Sequence, residues 1–124
     1  MTTATETDTF VTHYASVWNE SDPARRRELV AELWAEDAVQ YTDTKEHHGH
    51  EALDVRVAGA YEQFVAPGEF VFVAAGDTLA HHDAITFTTH MVPVAGGDPV
   101  WAGLIVLLLG GDGRIVRDYQ FARP

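Results

Sequence analysis

The sequence predicts an α+β domain in which three helices are followed by an antiparallel β-sheet and pack on one of its faces. Two observations lead to this fold class. Apolar residues recur at three- and four-residue spacing in the first half of the chain and follow strand patterns in the second. The turns AGGDP and GGDG separate the last apolar segments, and their glycine and aspartate residues suit tight hairpins. Helices followed by hairpin-linked strands are typical of this class.

Three segments have the periodicity of helices. Residues 8–18 place their apolar side chains on one side, with Tyr14 in the middle of that stripe. Asp22 and Pro23 then supply an N-cap and a first-turn proline for the second helix. The third helix covers residues 49–64, and the Pro-Gly pair that follows ends it.

The remaining segments predict strands. DAVQYTD alternates in polarity as a short strand, and TKEHHGH after it is expected to be a loop. Later strands cover residues 69–75, 84–94, 100–109 and 115–122. The stretch LIVLLL is hydrophobic on both faces, so the face turned away from the helices should also be covered. We therefore expect a homodimer that forms through the outer face of the sheet.

The composition excludes several classes of function. The 124 residues suit one domain, 1–124, with residues 1–7 expected to be disordered. Nineteen acidic and eight basic residues give a net charge of −11, which opposes binding to nucleic acid and to anionic membranes. The absence of cysteine excludes thiol chemistry. Because the N-terminus lacks the features of a secretory signal and no apolar run approaches the roughly 18 residues of a membrane span, we expect a cytoplasmic protein.

The segment EHHGH, which contains His47, His48 and His50, is the candidate for a metal site. Its three imidazoles and one carboxylate are close in sequence. Zinc sites, however, draw their ligands from at least two places in a chain and need a shielded surrounding. We predict a solvated loop here, and neither a metal nor another cofactor in the protein.

Four segments together resemble those of a known superfamily: YASVWNESD, ELWAEDAVQYTD, GHEAL at the start of the third helix, and GLIVLLLGGDGRI followed by a final strand. Their order and spacing resemble the nuclear transport factor 2-like superfamily, in particular its SnoaL-like branch of polyketide cyclases and proteins similar to ketosteroid isomerase. The resemblance implies a curved, mixed but mainly antiparallel sheet wrapped around three N-terminal helices. This shape is a cone, or cystatin-like roll, with an apolar cavity.

Within the superfamily, Tyr14, Asn19 and Asp22 are similar to a pattern at the end of the first helix of ketosteroid isomerase. The tyrosine of that enzyme is an oxyanion donor, and the alignment places its base aspartate on Asp43. Its second donor, a protonated carboxyl group, falls on Ile105, which donates no hydrogen bond. Losing one such donor typically costs on the order of a hundredfold in rate, which argues against steroid isomerisation by that mechanism.

The same alignment places Asp118 on the last strand with its side chain toward the cavity. SnoaL-like polyketide cyclases use a cavity aspartate as acid and base for an aldol ring closure without a cofactor. The resemblance thus implies three catalytic candidates, Tyr14, Asp43 and Asp118. Each also has a structural interpretation: Tyr14 as a core aromatic with one hydrogen-bond partner, Asp43 as a cap of the following loop, and Asp118 as an outward-facing residue.

The resemblance also implies a pocket for a small apolar ligand. We expect large apolar residues and one histidine to form its wall: Trp18, Trp34, Phe64, Phe87, His90, Trp101 and Ile105. The alternative for His90 is a position on the outward face of its strand. One hypothesis is a cofactor-free isomerase or cyclase acting on a small apolar carbonyl or polycyclic compound by carboxylate acid–base chemistry. A second is a non-catalytic ligand-binding or accessory domain. A third, epoxide opening as in limonene epoxide hydrolases, requires an Asp-Arg-Asp cluster in which Arg56 would be the middle member.

Overall fold

The computed structural model describes residues 4–123, in which three α-helices and seven β-strands form an α+β fold. The helices are α1 (Ala4–Val17), α2 (Pro23–Leu33) and α3 (Gly49–Ala60), and a π-helical turn (Tyr61–Val65) follows α3. The strands are β1 (Trp34–Tyr41), β2 (Glu46–His48), β3 (Phe70–Ala74), β4 (Leu79–His81), β5 (Ala84–Pro93), β6 (Trp101–Leu109) and β7 (Ile115–Arg123). The predicted fold class is confirmed.

The strands form one mixed sheet in the order β2-β1-β7-β6-β5-β3, and β4 pairs with β5 outside this path. The pair β1–β7 is parallel, whereas the other pairs are antiparallel. Because β1 and β7 are distant in sequence, their pairing is what brings Gln40 next to Asp118. Asp118 in turn pairs with Leu107 on β6, so both side chains lie on the inner face of the sheet.

The segment TKEHHGH is not a loop throughout, because residues 46–48 form β2. In this strand Glu46 pairs with Tyr41 and His47 with Gln40. A strand of three residues is too short to show an alternating pattern, and the equally short β4 has no recognisable sequence signal for the same reason. The first strand also begins earlier than predicted, since Trp34 already has extended backbone angles.

The first helix begins before the predicted residue 8. Thr7 is 6% exposed and continues the buried stripe of Val11 and Tyr14 by one turn. The disorder expected for residues 1–7 therefore does not extend to residues 4–7, which belong to α1; residues 1–3 lie outside the described part of the chain.

The helices cover the inner face of the sheet. Alternating residues of β5 and β6, such as Phe87, Ile105 and Leu107, are buried there beneath α1 and α3. Their neighbours on β6 face the other side and are only half-buried, although they are also apolar. No helix in the described residues is long and apolar enough to cross a membrane.

Candidate functional site

A cavity of about 240 Å3 lies between the helices and the inner face of the sheet, and we call it the inner cavity. Its wall is mainly apolar because α1, α3 and the central strands all turn their hydrophobic sides toward it. The larger apolar members of the wall are Trp18, Phe64, Phe72, Met91, Trp101 and Ile105. Four polar side chains interrupt this surface: Tyr14, Arg56, Thr89 and Gln120.

The hydroxyl of Tyr14 connects the inner cavity with a carboxylate behind it. Asp118 on β7 is fully buried, and the Tyr14 hydroxyl donates a hydrogen bond to its Oδ2 atom at 2.8 Å. The Trp34 Nε1 and Gln40 Nε2 groups donate to the same oxygen at 3.2 and 3.3 Å. Oδ1 is buried and has no hydrogen-bond partner among the residues described. All donors therefore serve one of the two carboxylate oxygens.

Burial dominates the electrostatics of this pair. It raises the pKa of Asp118 to about 6, while hydrogen bonds from Tyr14, Gln40 and Trp34 and the charge of Arg56 limit the rise. Burial, followed by the negative charge of Asp118, raises the pKa of the Tyr14 hydroxyl well above its usual value. The tyrosine is thus a neutral donor, and Asp118 has the proton affinity of a base suited to neutral pH.

Gln40 links this pair to Arg56, the one cation that the described residues place on the wall of the inner cavity. Its Oε1 atom accepts a hydrogen bond from Arg56 Nε at 3.2 Å, while its Nε2 group serves Asp118. The Arg56 guanidinium lies 5.3 Å from the centre of the Trp18 ring, a cation–π distance. Burial lowers the pKa of Arg56, and the charges of Tyr14 and Asp118 oppose that change. A chain of polar contacts therefore runs from Arg56 to Asp118.

Thr89 adds a hydroxyl group that no described residue satisfies. The residue is 5% exposed and lies on the wall of the inner cavity, and its Oγ1 atom has no hydrogen-bond partner among the described residues. A buried hydroxyl without a partner is costly unless a bound molecule or water completes it. Thr89 is consequently a second polar group that can reach a ligand, beside Tyr14.

A proposed isomerase of the SnoaL-like family from Agrobacterium tumefaciens has the same arrangement of helices and strands as this chain. Its crystal structure is 28% identical in sequence, has a TM-score of 0.85, and the match covers 97% of this chain and 99% of that one. The chain shares the SnoaL-like fold of the nuclear transport factor 2-like superfamily, which supports the resemblance seen in the sequence. The sequence itself matches no protein-family model and no curated protein.

Two structures of lower sequence identity share the fold of this chain. A proposed polyketide cyclase from Sinorhizobium meliloti is 19% identical, with a TM-score of 0.65 over 90% of this chain and 93% of that one. A SnoaL-like protein of unknown function from Burkholderia thailandensis is 17% identical, with a TM-score of 0.72 over the whole of both chains. At these identities the likeness concerns the fold alone.

Four of the pocket residues predicted for this SnoaL-like chain lie on the wall of the inner cavity: Trp18, Phe64, Trp101 and Ile105. Trp34 and Phe87 lie behind the wall, with ring centres 5.4 and 5.5 Å from that of Tyr14. His90 is on the other face of β5, because its neighbours Thr89 and Met91 line the cavity.

The three catalytic candidates do not come together. Tyr14 and Asp118 are in direct contact, whereas Asp43 is exposed after the end of β1. Asp43 lies on the wall of a second cavity of about 300 Å3, which we call the rim cavity. Arg56, Trp101 and Gln120 line both cavities, so the two adjoin at these residues.

The other two members of the tyrosine pattern have structural contacts in this SnoaL-like chain. Asn19 forms two hydrogen bonds with the backbone of Phe72, at 2.7 and 2.8 Å, and so fastens the end of α1 to β3. Asp22 accepts a hydrogen bond from the backbone of Ala24 at 3.0 Å as the N-cap of α2, which confirms the predicted cap.

The histidines of EHHGH point to different places. His47 lines the rim cavity, His48 contacts Glu46 at 2.9 Å in an exposed position, and His50 Nε2 lies 2.7 Å from the backbone oxygen of Trp34. Six residues of the site were not predicted from the sequence: Gln40, Ala60, Phe72, Thr89, Met91 and Gln120. For Thr89 the alternation of β5 could have placed it on the same face as Phe87.

Proposed function

We propose that this SnoaL-like chain is a cofactor-free isomerase or cyclase that moves a proton on a small, mainly apolar carbonyl compound bound in the inner cavity. The observation that carries the proposal is the contact between Tyr14 and Asp118. It joins a hydroxyl on the wall of an apolar cavity to a fully buried carboxylate whose pKa burial raises to about 6. A base with a pKa near the working pH is effective in proton transfer.

In this mechanism Asp118 acts through Tyr14. The Tyr14 oxygen takes a proton from the carbon next to the substrate carbonyl, while the tyrosine's own proton passes to Asp118. The substrate becomes an enolate, and the Thr89 hydroxyl donates a hydrogen bond to its oxygen. Return of the proton by the reverse route to another carbon completes an isomerisation. In a cyclase, the enolate carbon would instead form a bond to a second carbonyl carbon of the same molecule, and the proton would pass to the new alkoxide.

Hydrogen–deuterium exchange tests this proposal without knowledge of the natural substrate. A panel of one- and two-ring ketones in D2O is followed by NMR, which detects the enolate as exchange next to the carbonyl. We expect the wild-type protein to accelerate exchange for at least one ketone, with a rate that rises around pH 6. Asp118→Asn and Tyr14→Phe should each lower that rate by about a hundredfold or more.

Asp43→Asn is the matched variant, because it removes a carboxylate of the rim and not of the buried pair. If it stops exchange and Asp118→Asn does not, proton transfer takes place at the rim, and Asp43 is the base. If neither variant alters exchange, or if the wild type exchanges no ketone faster than buffer, acid–base catalysis by this chain is refuted.

A non-catalytic ligand-binding domain is the second candidate, and one observation favours it. Asp118 is not itself on the wall of the inner cavity, and three described side chains already donate to it. Such a network is also what a purely structural buried carboxylate needs. A ketone that binds to the protein, seen as quenching of tryptophan fluorescence, without any exchange of its protons would support this candidate.

We also propose that two copies of the chain associate through the outer face of the sheet. Leu104, Val106 and Leu108 face outward on β6 and are only half-buried, and Phe121, the β7 partner of Leu104, is 52% exposed. Tyr41 and Tyr119 stack beside them at 5.0 Å. Apolar area of this kind is typical of a protein–protein contact.

A further inference from the structure

The inner and rim cavities differ in chemistry although they share part of their walls. The inner cavity is apolar apart from four side chains, and its volume of about 240 Å3 lies below the roughly 300 to 1,000 Å3 typical of drug-sized ligands. The rim cavity has threonine, lysine, histidine and aspartate side chains. A molecule that occupies both must therefore have a compact apolar part and a polar end.

Arg56 stands where the two cavities adjoin and has most of its hydrogen-bonding capacity free. An arginine carries five N–H donors. Of the residues described, only Gln40 accepts one of them, through Nε, and no described carboxylate forms an ion pair with the guanidinium. The guanidinium of Arg56 is thus a half-buried cation that has free donors and lies on the walls of both cavities.

Further positive charge surrounds the same place. Lys45, the only lysine of the chain, lies on the wall of the rim cavity together with His47. Burial lowers the pKa of His47, and the charges of Arg56 and Lys45 lower it further, so His47 lies near both cations and is neutral at neutral pH. Asp43 is the one carboxylate on that wall within residues 4–123. The rim is therefore locally cationic in a protein whose net charge is −11.

We infer that the ligand of this site is a small apolar carboxylate, with its anionic group bound by Arg56 and Lys45 at the rim and its ring or chain in the inner cavity toward Tyr14. The planar guanidinium pairs with both oxygens of a carboxylate, which a single neutral acceptor cannot match. The apolar wall selects a body of one or two rings, and the rim selects the charge. This inference rests on the proposed function in that it uses the same cavity, but it requires no catalysis.

Two matched probes test the inference: naphthylacetate, an anion, and naphthylacetamide, its neutral analogue. Binding is measured by titration calorimetry and by quenching of tryptophan fluorescence at neutral pH. We expect the wild type to bind naphthylacetate at least about tenfold more tightly than the amide, the size expected of a charge-assisted hydrogen bond. Added salt should weaken binding of the anion and leave that of the amide unchanged.

Arg56→Gln should abolish the preference while the affinity for the amide stays within about twofold, since the apolar wall is retained. Arg27→Gln is the control, because Arg27 is exposed on α2 and its loss changes the net charge equally. Lys45→Gln, at an exposed residue, gives a second measure should Arg56→Gln fold poorly. It should weaken binding of the anion by roughly twofold to fivefold.

Equal affinity of the wild type for both probes would overturn the inference, as would a preference for the anion that persists in Arg56→Gln. Either result leaves the proposed proton transfer intact, since that is measured by exchange into neutral ketones. Conversely, a protein that binds naphthylacetate through Arg56 but exchanges no ketone would retain the carboxylate site and lose the proposed catalysis. If neither probe binds, the cavity does not accept a two-ring body, and the inference is wrong.

Discussion

At the scale of single residues, Asp118 is a carboxylate whose burial opposes its charge. It is 0% exposed, and its three donors all reach Oδ2. Since burial outweighs these hydrogen bonds, its pKa rises to about 6 from an ordinary value of 3.8. The folded protein therefore binds a proton here over a pH range in which the unfolded chain has already released it.

This difference predicts how Asp118 affects stability as the pH changes. Below pH 3.8 the residue is protonated in both states, and as the pH rises through 6 the folded state must bury a charge. The residue's contribution to the free energy of unfolding should fall between these two pH values, by about 3 kcal/mol in total. Asp118→Asn lacks this contribution. In denaturant titrations between pH 4 and pH 7, the stability of the wild type relative to Asp118→Asn should decline by about that amount.

Two variants complete the test. Tyr14→Phe removes a hydrogen bond that holds down the pKa of Asp118, so the decline should extend to higher pH and become larger. Asp77 should show the opposite pH dependence, because hydrogen bonds from Thr88 lower its pKa. The stability of the wild type relative to Asp77→Asn should therefore decrease as the pH falls. A wild type and an Asp118→Asn variant with parallel pH profiles would mean that the carboxylate is hydrated.

At the scale of elements, the shape of the inner cavity depends on β6. A Cβ atom at Gly103 would clash with the Trp101 ring, so the ring lies directly against the backbone of this strand. Trp101 lines both cavities, and a small residue at position 103 therefore keeps the ring out of the space that a ligand would occupy.

Gly103→Ala should consequently push the Trp101 ring into the cavities. Overpacking of this kind typically costs about 1 to 3 kcal/mol, and binding of naphthyl probes should weaken in parallel. Chemical denaturation and probe titration measure the two effects. Gly59→Ala is the control, because a Cβ atom added at this position of α3 would have no described atom within 4 Å, and alanine there should raise stability by up to about 1 kcal/mol. Equal stability of the two variants would show that Trp101 yields without cost.

Local patterns predict most elements but not how they meet. The stripe around Tyr14 and the cap at Asp22 depend on residues within one or two turns, so the sequence alone indicates α1 and α2. The parallel pairing of β1 and β7 has no local signal. It sets Gln40 beside Asp118, and the contact of Asp118 with Tyr14 spans 104 residues. The hydrogen-bond partners of the buried carboxylate therefore could not be predicted from the sequence, and neither could the exposed position of Asp43.

At the scale of the whole molecule, the two faces of the sheet differ: one borders the inner cavity, and the other is the face through which we propose that two copies associate. The inner face is covered by helices, while the outer face keeps half-buried leucine and valine side chains on β6. A highly charged protein of net charge −11 would be expected to resist self-association, so only close apolar contact can compensate for the repulsion between two copies. In the proposed dimer, the apolar outer face of the sheet would provide this contact.

The proposed dimer predicts that a charge at the centre of this face separates the copies. Val106 lies between Thr86 and Tyr119 on the neighbouring strands, and a two-fold axis would bring its equivalents near each other. Val106→Glu should raise the dimer dissociation constant by about a hundredfold or more, since like charges in an interface cost several kcal/mol. Light scattering should give twice 13.7 kDa for the wild type and 13.7 kDa for the variant. Val55→Glu, at a residue of α3 that is 67% exposed, should remain dimeric. A monomeric wild type, or a dimeric Val106→Glu protein that circular dichroism shows to be folded, would exclude this interface.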